Sequence, residues 1–111
     1  MTADAVHLLY CTCPDTQIAE RIAEALVETR LAACVNIVPG LHSIYRWKGK
    51  VENDAECLLL IKTRAARIAE VTACVRRLHP YELPEIIAVP VVAGHAPYLD
   101  WVRESTGPEQ N

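Results

Sequence analysis

The stretch ACVNIVPGLHSIYRWKGKVENDAECLLLIKT, residues 33–63, consists of two extended arms that meet at a tight turn at Lys48-Gly49. Each arm has about fourteen residues, whereas strands in a small four-stranded sheet usually have roughly 5–6. At ~3.3 Å per residue, such an arm would reach ~45 Å. The sequence therefore predicts a central β-hairpin that is too long for the domain that carries it.

A buried strand and an amphipathic helix precede this hairpin. The apolar run from Val6 to Thr12 predicts the strand, and a helix is predicted from about Thr16 to Arg30 because aliphatic residues recur there at every fourth position. Asp15 or Thr16 is suited to cap its first turn. Pro39-Gly40 predicts a bend or bulge within the first arm of the hairpin, since proline removes a ladder donor.

The second half of the chain repeats this plan. A helix is predicted over residues 64–78 and ends at His79-Pro80, followed by a strand over residues 85–92 in which Pro90 suggests an edge position. A short last helix begins at Pro97, and Ser105 onward is expected to fray. The order βαββαβ predicts an α+β, ferredoxin-like sandwich with both main helices on one sheet face. Residues 1–111 would form one domain, ordered over about residues 6–105.

Two surfaces of this predicted fold lack a covering partner. The outer half of the hairpin would stand in water although Leu41, Ile44 and Trp47 are large and partly apolar. The third strand is apolar on both faces, because Leu58 and Leu60 alternate with their apolar neighbours. Further copies of the same chain would cover both surfaces. The alternative is that the hairpin curls over its own sheet as a flap.

Composition narrows the class of protein. The chain has 111 residues, is 51% hydrophobic without any Phe, and carries a net charge of −3, which argues against a nucleic-acid-binding role. We interpret Arg64, Arg67, Arg76 and Arg77 as a solvated helix face. No stretch approaches the ~18 apolar residues of a membrane span, and no signal peptide is evident. Five cysteines inside apolar runs favour reduced thiols in a cytoplasm.

Cys11 and Cys13 form a C-x-C pair whose side chains share one face of the first strand. Thiolates are soft ligands suited to Cu(I) or Zn, and His79 at the end of the second helix could add an imidazole. Alternatively, Cys11 is a small buried hydrophobe and His79 a surface residue that caps the helix. Phosphate-binding, hydrolase and zinc-protease motifs are absent, and a Cys11–His79 dyad lacks an orienting group, so we expect no enzyme.

Several separate motifs in this order resemble the CutA divalent-cation-tolerance family. They are RLAACVNIVPG at residues 30–40, SIYRWKGK at 43–50, LIKT at 60–63, HPYELPE at 79–85 and YLDW at 98–101. The resemblance spans about residues 6–105. It implies a cytoplasmic homotrimer of ferredoxin-like subunits, packed like the PII signal-transduction proteins, in which the long hairpins complete intersubunit sheets.

The resemblance also implies a role in tolerance of copper and other divalent cations. Copper binding in the family is attributed to a cysteine matched here by Cys11 and to a His-His pair whose second member is His79; Leu78 stands in the first place. The implied ion is Cu²⁺ or Zn²⁺. The alternative is a PII-like signalling trimer that binds a small molecule or a partner protein in clefts between subunits. Candidate residues for such a pocket are Tyr45, Trp47, Lys62, Tyr81 and Glu85.

Overall fold

A computed structural model describes residues 2–107. Residue 1 and residues 108–111 of the predicted domain lie outside this range. The strands and helices are β1 (Val6–Cys13), α1 (Thr16–Glu28), β2 (Cys34–Trp47), β3 (Lys50–Arg64), α2 (Ile68–Leu78), β4 (Ile87–Pro90) and α3 (Ala96–Ser105), with a 3-10 turn at Ala65–Arg67 before α2. None of the described helices combines the length and the apolar character that a membrane crossing requires.

The sheet has four strands in the order β2-β3-β1-β4, and every neighbouring pair is antiparallel. This order confirms the predicted α+β, ferredoxin-like fold. In the central pair, Cys11 lies opposite Leu59 and Cys13 lies opposite Cys57. Directly opposed residues share a sheet face, so both cysteines of β1 point to the same side as Leu59.

The aliphatic core lies on that side of the sheet, under α1 and α2. Leu9, Leu59 and Ile61 are fully buried there, together with aliphatic residues of both helices. On the opposite face, α3 covers one end of the sheet through Val102, which packs against Val6. The rest of that face stays open: Ile87 and Val89 of β4 are 54% and 41% exposed.

The hairpin of β2 and β3 has the predicted length and the predicted irregularity. Its register shifts between Val38 and Leu41, where Gly40 adopts a φ of 82°. The turn places Lys48 and Gly49 at positive φ, as a two-residue hairpin turn of the primed type requires. Beyond the bulge the hairpin is poorly covered within the described chain, and Ile44 is 72% exposed.

The tip of the hairpin forms an ion pair with another part of the same chain. At its tip, Lys48 Nζ lies 3.7 Å from a carboxylate oxygen of Glu82, in the loop that follows α2 of the same chain. Both side chains are largely exposed, and such surface pairs contribute little stability. This contact leaves Ile44 and Val51 exposed, so it does not bury the outer half of the hairpin.

The fourth strand is shorter than predicted. It covers Ile87–Pro90 and not residues 85–92, because it pairs only with residues 7–10 of β1. β4 forms one edge of the sheet, as Pro90 indicated. The second helix also begins later than predicted, since residues 65–67 form the 3-10 turn.

The prediction that the chain frays from Ser105 is wrong at Thr106, and so is the interpretation of Arg64 and Arg67 as solvated. Thr106 is fully buried, and its hydroxyl donates to the Val102 carbonyl at 2.8 Å. Its own carbonyl accepts hydrogen bonds from Arg64 Nη2 at 2.8 Å and Arg67 Nε at 2.9 Å. Guanidinium groups stabilise the negative C-terminal end of a helix, here α3.

Asp15 caps α1 and supports a first test of local stability. Its carboxylate accepts the backbone N–H of Ile18 at 2.9 Å, which confirms the predicted cap. Asp15→Ala is expected to lower the free energy of unfolding by about 1 kcal/mol, whereas Asp15→Asn should cost much less because asparagine also caps. Urea unfolding of the two variants measures the difference. Equal losses would show that the hydrogen bond does not stabilise the helix.

Candidate metal centre and adjoining cleft

Three potential metal ligands lie close together near the carboxyl end of β1, on the sheet face that packs against α1 and α2. The sulfurs of Cys11 and Cys13 and a ring nitrogen of His79 all lie within 4.8 Å of one another. Alternation along β1 turns both cysteines toward the helices, where they are fully buried. α2 ends at Leu78, and the extended backbone of His79 before Pro80 directs the chain away from the helix axis. The structure therefore brings together the predicted Cys11 and His79 and adds Cys13.

His79 is held by hydrogen bonds at both ring nitrogens. Nδ1 accepts the backbone N–H of Tyr81 at 3.1 Å, which assigns the proton to Nε2. Nε2 in turn donates to the Thr12 carbonyl at 2.7 Å. The alternative of a surface histidine that caps α2 is wrong, because His79 is only 7% exposed and bonds to β1 instead.

The pKa values of the two thiols in the cluster are shifted in opposite directions. A hydrogen bond to Cys13 and burial raise the pKa of Cys11 far above that of an ordinary thiol. The same hydrogen bond, donated by Cys11, lowers the pKa of Cys13. Cys13 is therefore the group that ionises first, and Cys11 keeps its proton at neutral pH.

The three ligand atoms suit a soft metal ion, but the hydrogen bonds of His79 would have to change for a metal to bind. Two thiolate sulfurs and one imidazole nitrogen suit zinc or copper. In the arrangement seen here, neither nitrogen of His79 has a free lone pair. A metal ion would therefore replace one hydrogen bond of His79, either to Thr12 or to Tyr81, and displace the proton of Cys11.

A cleft of about 710 Å³ adjoins the cluster, between the outer hairpin and the loop after α2. Four of the five predicted pocket residues line it, namely Tyr45, Trp47, Tyr81 and Glu85. Lys62 does not: its Nζ lies 5.7 Å from the centroid of the Tyr98 ring, beside α3. Lys62 lies near the end of β3 that is far from the turn at Lys48-Gly49, which places it away from the cleft.

Glu56 is the residue of this cleft that the sequence analysis missed. It is only 7% exposed, and its Oε2 accepts the hydroxyl of Tyr81 at 2.8 Å. Asp54, two residues earlier on the same face of β3, accepts the hydroxyl of Tyr45. This hydrogen bond raises the pKa of Tyr45 to about 12. Burial and Glu56 likewise raise the pKa of Tyr81. The alternation of acids along β3, at Glu52, Asp54 and Glu56, is the sequence signal that could have identified this cluster.

The fold and the cluster together define a small ferredoxin-like domain with a buried pair of thiols and one imidazole. The family model described as CutA1 divalent ion tolerance protein matches residues 7–105. The chain therefore belongs to the CutA1 divalent ion tolerance family.

Individual relatives agree with this assignment. The divalent-cation tolerance protein CutA of Thermus thermophilus is 56% identical over 101 residues, which cover 91% of this chain and 98% of that protein. A solved structure of Cut A1 from Thermus thermophilus has a TM-score of 0.90 at 53% identity, covering 92% of this chain and 99% of that one.

The relationship extends to a longer animal protein. Human protein CutA is 51% identical over 102 residues, which are 92% of this chain and 57% of the human protein. The chain thus spans little more than half the length of this relative.

Proposed function

We propose that this member of the divalent ion tolerance family acts by binding zinc or copper at Cys11, Cys13 and His79. The observation that supports the proposal is the mutual distance of their ligand atoms, at most 4.8 Å, in a fully or nearly fully buried cluster. Two sulfurs and one imidazole nitrogen are also the ligand types that zinc and copper prefer in proteins.

Each residue has a distinct part in this proposal. Cys13, whose pKa is lowered, supplies a thiolate, and Cys11 supplies a second one after losing its proton. His79 supplies the nitrogen that it frees from Thr12 or Tyr81. The proposed role is binding without catalysis, because Cys11 and Cys13 are both fully buried and a nucleophilic thiol must be accessible to its substrate.

Zinc affinity is expected to rise between about pH 6 and about pH 8 with release of at least one proton per ion bound. The sign follows from Cys11: its raised pKa keeps the thiol protonated at neutral pH, so a higher pH favours the thiolate that the metal needs. Calorimetric titrations with zinc in two buffers of different ionisation enthalpy give both the affinity and the protons released. A pH-independent affinity without proton release would exclude thiol ligands.

We also propose that the chain is a cytoplasmic homotrimer. Exposed apolar side chains on the outer hairpin and on the open sheet face support self-association, and Ile44 and Ile87 are 72% and 54% exposed. Five free cysteines support a reducing compartment.

A second candidate function is a PII-like signalling role in which the cleft binds a small molecule. The specific observation in its favour is that Tyr45, Trp47, Tyr81 and Glu85 line one cleft with a volume typical of ligand sites. A thermal-shift screen of metal-free protein tests it, since a ligand that binds only the folded state raises the melting temperature. Unchanged melting temperatures across amines, organic anions and nucleotides would exclude this role.

A further inference from the structure

The cleft beside the candidate metal centre is lined by aromatic and acidic side chains. Three aromatic rings line it, those of Tyr45, Trp47 and Tyr81, together with the carboxylates of Glu56 and Glu85. Aromatic faces carry negative potential, so rings and carboxylates attract the same sign of charge. Three glutamates and one arginine line the cleft in all, which leaves it net negative.

Glu56 presents one oxygen to this cleft. Its side chain is more than nine-tenths buried, and Tyr81 occupies Oε2. Oε1 has no hydrogen-bond partner among residues 2–107, whereas every fully buried side-chain oxygen in that range has one. Oε1 is therefore reached by solvent, and the cleft that Glu56 lines gives that access. A carboxylate oxygen placed in this way accepts a hydrogen bond most strongly from a cation.

The rim of the cleft already shows how an ammonium group is held. Lys48 Nζ lies 5.5 Å from the centroid of the Trp47 ring and 3.7 Å from Glu82, and both of these residues line the cleft. The ammonium thus lies near a ring and a carboxylate of the same chain. Tyr81 and Glu56 also combine a ring with a carboxylate in the cleft, where Arg46 is the one basic residue among the lining residues.

We infer that the cleft binds a small organic cation, with its ammonium group at Glu56 and Glu85 and its hydrocarbon body against the rings of Tyr45, Trp47 and Tyr81. Aromatic walls with carboxylates are the usual recognition chemistry for ammonium ligands. The inference rests on the second candidate function and names the class of its ligand. It does not depend on metal binding at the buried cluster.

A series of ligands that differ in charge tests the inference on the metal-free chain of residues 1–111, without any variant. Benzylamine, benzyltrimethylammonium, benzyl alcohol and benzoate are titrated by calorimetry and by ligand-observed NMR in the presence of a chelator. Both cations are expected to bind at least about tenfold more tightly than the neutral alcohol, and benzoate not at all. Equal binding of the alcohol, or no binding of either cation, would overturn the inference. Selective binding of benzoate would also overturn it, while leaving a small-molecule function at the cleft.

Two variants locate the site. Glu56→Gln and Glu85→Gln each remove a negative charge from the cleft, and each is expected to weaken benzylamine binding about tenfold. Glu24→Gln on α1 is the matched control, outside the cleft, and should bind as the wild type does. Melting temperatures of the free variants show that they fold. If both cleft variants fold and bind benzylamine normally, the cation binds elsewhere and the inference is wrong.

Discussion

Cys11→Ser is expected to weaken zinc binding at least about a hundredfold, because a hydroxyl cannot replace a thiolate as a soft ligand. The side chain is fully buried, and Leu59, the residue opposite it in β3, offers no ligand atom. Competition with a coloured zinc chelator measures affinities over the necessary range. Cys13→Ser should have an effect of the same order, since both sulfurs belong to the cluster.

Cys34→Ser is the matched control for these variants. Cys34 is a free, half-buried cysteine at the start of β2, outside the cluster. Its replacement should leave zinc affinity unchanged. Urea unfolding of metal-free proteins separates a loss of ligands from a loss of folding. If folded Cys11→Ser retained the affinity of the wild type, the assignment of Cys11 as a ligand would be wrong.

The double variant Ile44→Asp/Val51→Asp is expected to convert a trimer into monomers. These residues are 72% and 66% exposed, and their positions across the hairpin place them on one face as diagonal neighbours. Two carboxylates at these positions would lose their hydration in a subunit interface. The free-energy cost of this desolvation opposes association. Sedimentation equilibrium should give about 37 kDa for the wild type, three times the chain mass of 12.3 kDa, and the mass of one chain for the variant.

Val27→Asp controls for the added charge. Val27 is a 43% exposed valine near the end of α1, outside the hairpin. It should sediment like the wild type. A wild-type protein that sediments as a monomer would contradict the homotrimer and leave the apolar outer hairpin without an explanation.

Much of the fold follows from local patterns in the sequence. The period of aliphatic residues in α1 and the cap at Asp15 depend on neighbours within a few positions, so both were predictable. The bulge at Pro39-Gly40 and the turn at Lys48-Gly49 follow from the backbone preferences of proline and glycine. The burial of Thr106 depends on Arg64 and Arg67, about forty residues away, and no local pattern encodes that contact.

The candidate site was predictable to the same extent. Strand alternation places Cys11 and Cys13 on one face, and helix termination at Pro80 places His79 at a loop. The approach of His79 to β1 is a tertiary contact. The ligand type of His79 and the resemblance to a family both suggested it, but no local pattern encodes the distance. The hydrogen bonds that occupy both ring nitrogens, and the approach of Tyr81 to Glu56, require coordinates.

X-ray absorption spectroscopy of the zinc-loaded protein tests the central claim most directly, because it reports the atoms bound to the metal. The proposed site predicts a first shell with two sulfur scatterers at about 2.3 Å and an imidazole nitrogen at about 2.0 Å. In Cys11→Ser the sulfur contribution should fall by half. A first shell of oxygen and nitrogen alone in the wild-type protein would contradict metal binding at Cys11, Cys13 and His79.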